Sequence, residues 1–245
     1  RGKSMIFSSI FFVFAYLPIV LILYYLVPFK FKNLVLLLVS LVFYAWGEPV
    51  YVVLMLFSIA INFVSGLELE YFMDRGEMRK AKYACIVTAA INLGVLGFYK
   101  YYGFVIENLN AILPFDIPYT KLALPIGISF YTFQTMSYVI DVYRGKVKAQ
   151  HNPITFGAYV SMFPQLIAGP IVRYVDIEAQ LLNRVMSMRK FGQGVMYFIV
   201  GFAKKVVLAD SIGALYEQIT ALPIGSFSVL TAWVGCLAFA FPDLL

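Results

Sequence analysis

MIFSSIFFVFAYLPIVLILYYLV, residues 5–27, carries no charged side chain over 23 residues and holds fifteen Val, Ile, Leu or Phe. At about 0.3–0.6 kcal/mol each, those fifteen favour insertion into lipid by about 5–9 kcal/mol. The run is too long for the apolar core of a signal peptide, and Val27-Pro28-Phe29 offers no small-residue cleavage site. It reads as a retained transmembrane helix, kinked at Pro18. Ahead of it, Arg1–Ser4 read as a scar before a natural start at Met5, which leaves 5–245 as a single membrane domain.

The rest of the chain extends that reading. Of 245 residues, 62% are hydrophobic and only 13% charged, and the mean hydropathy is +0.83. A water-soluble fold of this size has too little interior to hide so much apolar surface. Composition therefore excludes a soluble domain, a disordered chain and a disulfide-rich secreted scaffold. The net charge of +6 does not indicate nucleic-acid binding, because the 19 basic residues sit in short loops between apolar runs. Cys85 and Cys236 lie inside apolar runs with no CxxC or Cys/His cluster, so neither a metal site nor a disulfide is expected.

Further spans follow at 33–47, 50–67, 83–106, 121–143, 191–209 and 227–241. The 33–47 run has 15 residues, short for a crossing of about 20. Residues 68–82 read as a polar connection. Gly94, Gly97 and Gly103 suggest that 83–106 packs closely inside the bundle. Asn152–Val172 is uncharged but broken by Pro153, Pro164 and Gly169-Pro170, which marks a segment that is re-entrant or buried among other helices. Arg173–Lys190 reads as an interfacial helix. Lys204 and Lys205 cancel the insertion energy of 191–209, so they snorkel to an interface or line a polar cavity. The expected fold is all-α: a polytopic multi-helix transmembrane bundle with a re-entrant segment and interfacial helices. With the N-terminus outside, thirteen Lys and Arg fall on the cytoplasmic side, against Arg1, Lys3, Lys100 and Lys121 on the other.

Few side chains are available for chemistry. His151, the only histidine, is a general-base candidate or an ordinary loop residue ahead of a helix-starting Pro153. Asp141 and Arg144, three apart, share a helix face. They form a helix-end ion pair, or they rim a polar entrance that Ser129, Thr132 and Gln134 also line. Those three serve equally well as bonds to neighbouring helices. In FPQLIAGPIVR, residues 163–173, two prolines and a glycine at membrane depth mark backbone that lines a cavity or site. Arg173 beside it suits an anionic donor, or serves topology alone.

Four stretches carry a resemblance: LPIGISFYTFQTMSYVIDVYRG (124–145), the opening 5–27 with NLVLLLVSLVFYAWGEP (33–49), FPQLIAGPIVRY (163–174) and FGQGVMYFIVGFAKKVVLAD (191–210). Together they resemble the membrane-bound O-acyltransferase superfamily, in particular its bacterial alginate and peptidoglycan O-acetyltransferase branch. The likeness runs from Met5 to about Phe241 and corresponds to the N-terminal half of the family's length. It implies acyl transfer from a cytoplasmic acyl thioester donor such as acetyl-CoA, through a tunnel, to an extracytoplasmic polysaccharide. It also implies a bacterial inner-membrane location and an extracytoplasmic acetyl-transfer partner protein, with no bound cofactor, metal or nucleic acid. The family's catalytic histidine is expected beyond Leu245, where an FDFSGYSD-like stretch should begin. His151 does not match its position, no catalytic residue is carried over, and the 245-residue chain alone is expected to be inactive. Asp141, Arg144, Gln165 and Arg173 fall near the donor-side funnel. The competing reading, supported by the scarcity of catalytic side chains, is a non-catalytic membrane scaffold or transporter component of a cell-envelope assembly.

Overall fold

A computed structural model describes residues 9–120, 122–166, 171–223 and 228–244, with side chains as far as Phe241. The expectations for Arg1–Ser4, Met5–Ser8, Lys121, Gly169-Pro170, Phe227 and the side chains of 242–245 lie outside the described residues. The chain is all-α, and no strand occurs among the described residues. The described residues divide into two compact units, one within 16–184 and a second that joins 185–223 and 228–244 to 9–15.

The first unit opens with α1 (Leu17–Leu26), which follows in sequence a π turn over Phe12–Tyr16. Pro18 sits in the first turn of α1 and lacks the N–H that would continue the preceding hydrogen-bond ladder, so the register widens just ahead of it. After Pro28, a 3-10 turn over Phe29–Phe31 runs directly into α2 (Lys32–Gly47). The two together make a 19-residue apolar helix. The 15-residue shortfall expected at 33–47 is thereby removed, because Lys30 and Lys32 belong to the helix rather than to a loop. Glu48, which leaves the helical conformation ahead of Pro49 (φ −139°, ψ 69°), ends α2.

Helices α3 (Val52–Asp74) and α4 (Met78–Ile112) are both long and apolar enough to cross a membrane. They replace the polar connection expected over 68–82 with a turn of three residues, Arg75–Glu77. The charged residues of that stretch are good helix formers, and a helix leaving lipid continues in water where its side chains are solvated. Between α3 and α4, Asn62 and Asn92 exchange side-chain amide hydrogen bonds of 3.0 and 2.9 Å, and the Thr88 hydroxyl donates to Ser65 Oγ at 2.8 Å. Polar side chains that satisfy each other hold apolar helices together where lipid supplies no hydrophobic driving force. Gly94 and Gly97, by contrast, face open space within this chain. The expected close packing along that glycine row is not made here.

The centre of the unit is α5 (Ile128–Tyr143), nine of whose sixteen residues are buried despite its polarity. It starts seven residues later than the span expected from Lys121, because Pro125 and the left-handed Gly127 (φ 76°) fix an irregular entry. Its polar side chains turn inward to backbone. Thr135 donates to Tyr131 O at 2.9 Å, Ser137 to Gln134 O at 2.7 Å, and Gln134 Nε2 to Tyr159 O at 3.1 Å. Gln134 thus bonds a neighbouring helix.

Helix α6 (Pro153–Ser161) is capped by Asn152, whose side chain accepts from Ile154 N at 2.9 Å and Thr155 N at 3.3 Å. Nine residues rise about 13–14 Å, less than half of a hydrocarbon core of about 30 Å. Every residue from Thr155 to Ser161 is buried, so α6 is a helix packed among others. A single turn, α7 (Phe163–Leu166), follows. The interfacial helix expected over 173–190 is confined to α8 (Tyr174–Leu182), and residues 183–187 are irregular.

The second unit contains α9 (Met188–Ala203), a π stretch at Lys204–Ala209, α10 (Asp210–Thr220) and α11 (Val229–Leu244). Helices α10 and α11 pack through Tyr216 and Phe239, whose ring centroids lie 5.2 Å apart. The paired lysines sit at the π stretch, where Lys205 forms an ion pair with Asp210 and both side chains are about half exposed. Asp210 thus gives Lys205 an ion partner.

Candidate functional site

The stretch read as cavity-lining backbone meets α5 through one buried carboxylate. Asp141 is 2% exposed. Arg173, 32 residues further on, reaches it as a fork: Nη2 lies 2.5 Å from Oδ1 and Nε 3.1 Å from Oδ2. The pairing expected between Asp141 and Arg144 does not form. Arg144 is the exposed C-cap of α5, and water competes there for any ion pair. A planar guanidinium matches a carboxylate with two parallel N–H donors, which is why an arginine suits this place. The contact with Asp141 raises the Arg173 pKa above its already high ordinary value, so the guanidinium stays charged. The arginine side chain is 41% exposed. Its Asp141-facing edge is occupied, and its outer edge is open to an anionic group.

Around this pair the sequence assembles a cluster of aromatics and amides. Tyr138, Tyr159, Tyr174 and Phe156 are fully buried. The rings of Tyr138 and Tyr159 each stand edge-on to Tyr174, with centroids 5.2 Å apart. Gln150 knits the cluster together. Its backbone N–H donates to Tyr138 Oη at 2.9 Å, its Nε2 donates to Tyr174 Oη at 2.7 Å, and its Oε1 accepts from Asn152 N at 2.9 Å. Burial pushes the Tyr174 hydroxyl up to about 12, so it stays neutral. The Tyr159 hydroxyl donates to Val172 O at 3.2 Å, which ties the residue before Arg173 to α6. Tyr138 also presses on Gly66 of α3, where a Cβ would lie 2.5 Å from its hydroxyl.

The four residues expected together on the donor side separate into three places. Asp141 and Arg173 bond each other. Arg144 is at the surface, and Gln165 lines a different pocket with Tyr24 and Arg184. His151 lies at the surface, 2.7 Å from Glu70 Oε2 and 74% exposed at its side chain. It is a loop residue placed against a carboxylate. Sequence reasoning missed Tyr138, Gln150, Tyr174 and Gly66. Of these only Gly66 carried a usable signal, as part of the small Ser65-Gly66 pair inside an apolar helix.

No family model and no solved structure matches the chain. Curated proteins do. The chain is 42% identical over 241 residues to a probable alginate O-acetylase AlgI of Pseudomonas aeruginosa, an alignment that covers 96% of this chain and 45% of that protein. A probable alginate O-acetylase AlgI of Azotobacter vinelandii is 40% identical over 96% of this chain and 47% of its own length. The peptidoglycan O-acetyltransferase of Helicobacter pylori is 30% identical over 98% of this chain and 51% of its own length. The chain thus spans about half the length of the curated relatives it matches. On an all-α membrane architecture, the chain is thus similar over nearly its whole length to about half of each of these alginate and peptidoglycan O-acetyltransferases.

Proposed function

We propose that the protein to which this chain belongs transfers acetyl groups to the hydroxyls of an extracytoplasmic polysaccharide, alginate or peptidoglycan, in the bacterial inner membrane. The observation that carries this reading is the 42% identity sustained over 241 residues with an alginate O-acetylase. The acetyl group comes from a cytoplasmic acyl thioester such as acetyl-CoA and passes to an extracytoplasmic acetyl-transfer partner. Asp141, Arg144, Gln165 and Arg173 belong to the donor side, and the open edge of Arg173 is the group suited to an anionic donor. Because the chain spans about half of such proteins, transfer requires residues from the other half as well.

The test is complementation in an alginate-producing host that lacks its own O-acetylase. A longer protein containing this chain should restore acetyl esters on the secreted polymer, and the 245-residue chain alone should not. Unacetylated polymer despite correct membrane insertion of the longer protein would refute the assignment. Acetylation by the short chain, lost in His151→Ala, would refute the division of labour.

The orientation belongs to the same proposal, with the N-terminus outside. Lys146→Cys and Lys190→Cys should both react with a membrane-impermeant maleimide only when the cytoplasmic face is opened. Labelling of the two from opposite faces would mean that 152–172 crosses the bilayer completely.

A further inference from the structure

Arg173 occupies a helix position that disfavours it. It is the N-cap of α8, extended at φ −80° and ψ 151°, and its side chain caps no backbone N–H. That position favours Ser, Thr, Asp or Asn, whose oxygen accepts from the first turn, and the positive end of a helix repels a cation. A local rule broken without local compensation marks a residue placed for another purpose. The Asp141 carboxylate occupies Nε and Nη2 of the guanidinium. No acceptor among the described residues bonds Nη1, and the side chain is 41% exposed. An arginine has five N–H donors, so the outer ones are left for a second anion.

The residues on either side of Arg173 are held by other elements. Ahead of it, the Tyr159 hydroxyl of α6 sits between two carbonyl oxygens, Val172 at 3.2 Å and Gln134 at 3.3 Å, and shares its one proton between them. Gln134 Nε2 returns a bond to Tyr159 O at 3.1 Å, so α5, α6 and the backbone leading into α8 meet at one side chain. Behind it, the Tyr174 hydroxyl accepts from Gln150 Nε2 at 2.7 Å, and Gln150 Oε1 accepts in turn from Asn152 N at 2.9 Å. Tyr159, Tyr174 and Gln150 are all buried. The backbone of Arg173 is therefore fixed from both sides, and its long side chain starts from a defined base. A side chain ordered before its ligand arrives does not charge that ordering to binding.

We infer that Tyr159 and Gln150 are positioning residues, which act through Val172 and Tyr174 to aim the outer edge of Arg173 at the anionic group of the acyl donor. This rests on the reading of Arg173 as the donor-side cation. Asp141 fixes the rotation of the guanidinium, and the two anchors fix where the side chain begins.

The test uses the longer protein containing this chain, with acetyl transfer in inverted membrane vesicles followed against acetyl-CoA concentration and normalised to folded enzyme. Tyr159→Phe keeps the ring and deletes the hydroxyl, and Gln150→Met keeps the length and deletes the amide bonds. Each should raise the KM for acetyl-CoA by about three- to tenfold, the scale of a lost hydrogen bond, with kcat within about twofold. Arg173→Lys should raise KM at least as much. Tyr159→Phe added to Arg173→Lys should raise it no further, because a residue that acts through Arg173 then has nothing left to aim. A merely structural role would lower the yield of folded enzyme and leave KM in place. An unchanged KM in Arg173→Lys would refute the donor reading of Arg173, and this inference with it. A raised KM in Arg173→Lys beside an unchanged KM in Tyr159→Phe and Gln150→Met, or additive effects in the double variant, would overturn this inference and spare that reading. Should either Tyr159→Phe or Gln150→Met fail to fold, the other decides, since they act on opposite sides of Arg173.

Discussion

Arg173→Ala is expected to destabilise the chain by about 3 kcal/mol, measured as loss of folded protein in a thermal or denaturant titration in detergent. The variant removes the one cation that faces Asp141, and the carboxylate is 2% exposed. Removing one partner of a buried pair strands the other charge and costs about 3–5 kcal/mol. The lower end applies because the arginine side chain is 41% exposed, so water can follow it in and solvate part of the carboxylate. Arg173→Lys keeps the charge and loses the fork, and should fall between. Asp141→Asn removes the buried charge itself and should cost less than Arg173→Ala, because the freed guanidinium can turn to solvent. A double variant, Asp141→Asn with Arg173→Ala, should be less destabilised than the sum of the singles. If Arg173→Ala and Asp141→Asn prove equal and additive, the two residues do not act as a pair. In the longer protein, a drop in donor affinity for Arg173→Lys at unchanged stability would separate a donor-binding role from a structural one.

The identity of that partner shows where sequence reading reaches its limit. Charge-free run length is a one-dimensional property, and it established an all-α membrane class from residues such as 5–27 and 50–67 without any contact being known. Helix ends are less legible, because lipid thickness governs the apolar run and not the helix. Helices α3 and α4 accordingly continue into the charged 68–82 stretch until a three-residue turn. Partners are less legible again. Arg144 is the local candidate for Asp141, three residues away on one face, but it sits at the water-exposed end of α5, where a pair gains little. Arg173 wins because the chain after α7 returns to a carboxylate that has no water. The glycines teach the same lesson. Small residues state that a close approach is permitted, and only the facing element decides whether one is made. Gly94 and Gly97 meet nothing here, whereas Gly66 meets Tyr138, itself held by the Gln150 amide. The Gln150–Tyr174 bond spans 24 residues and joins a loop to a short helix, a distance over which no periodicity carries information.

Gly127→Ala is the second large effect, at about 2–4 kcal/mol, and a second glycine allows it to be dissected. Gly127 caps the start of α5 at φ 76°, a left-handed conformation that costs an L-residue about 1–2 kcal/mol. A Cβ there would also stand 2.8 Å from the Leu166 carbonyl oxygen. That atom is backbone, so relief requires α7 to move away from α5, at the further cost of about 1–3 kcal/mol typical of overpacking. Gly76 has φ 71° and no atom within 4 Å of its notional Cβ. Gly76→Ala therefore samples the conformational term without the collision and should cost only about 1–2 kcal/mol. The difference between the two variants measures how tightly α7 is seated on the start of α5. Equal costs for the two substitutions would show that α7 yields freely and that its position is set by something other than the α5 N-terminus.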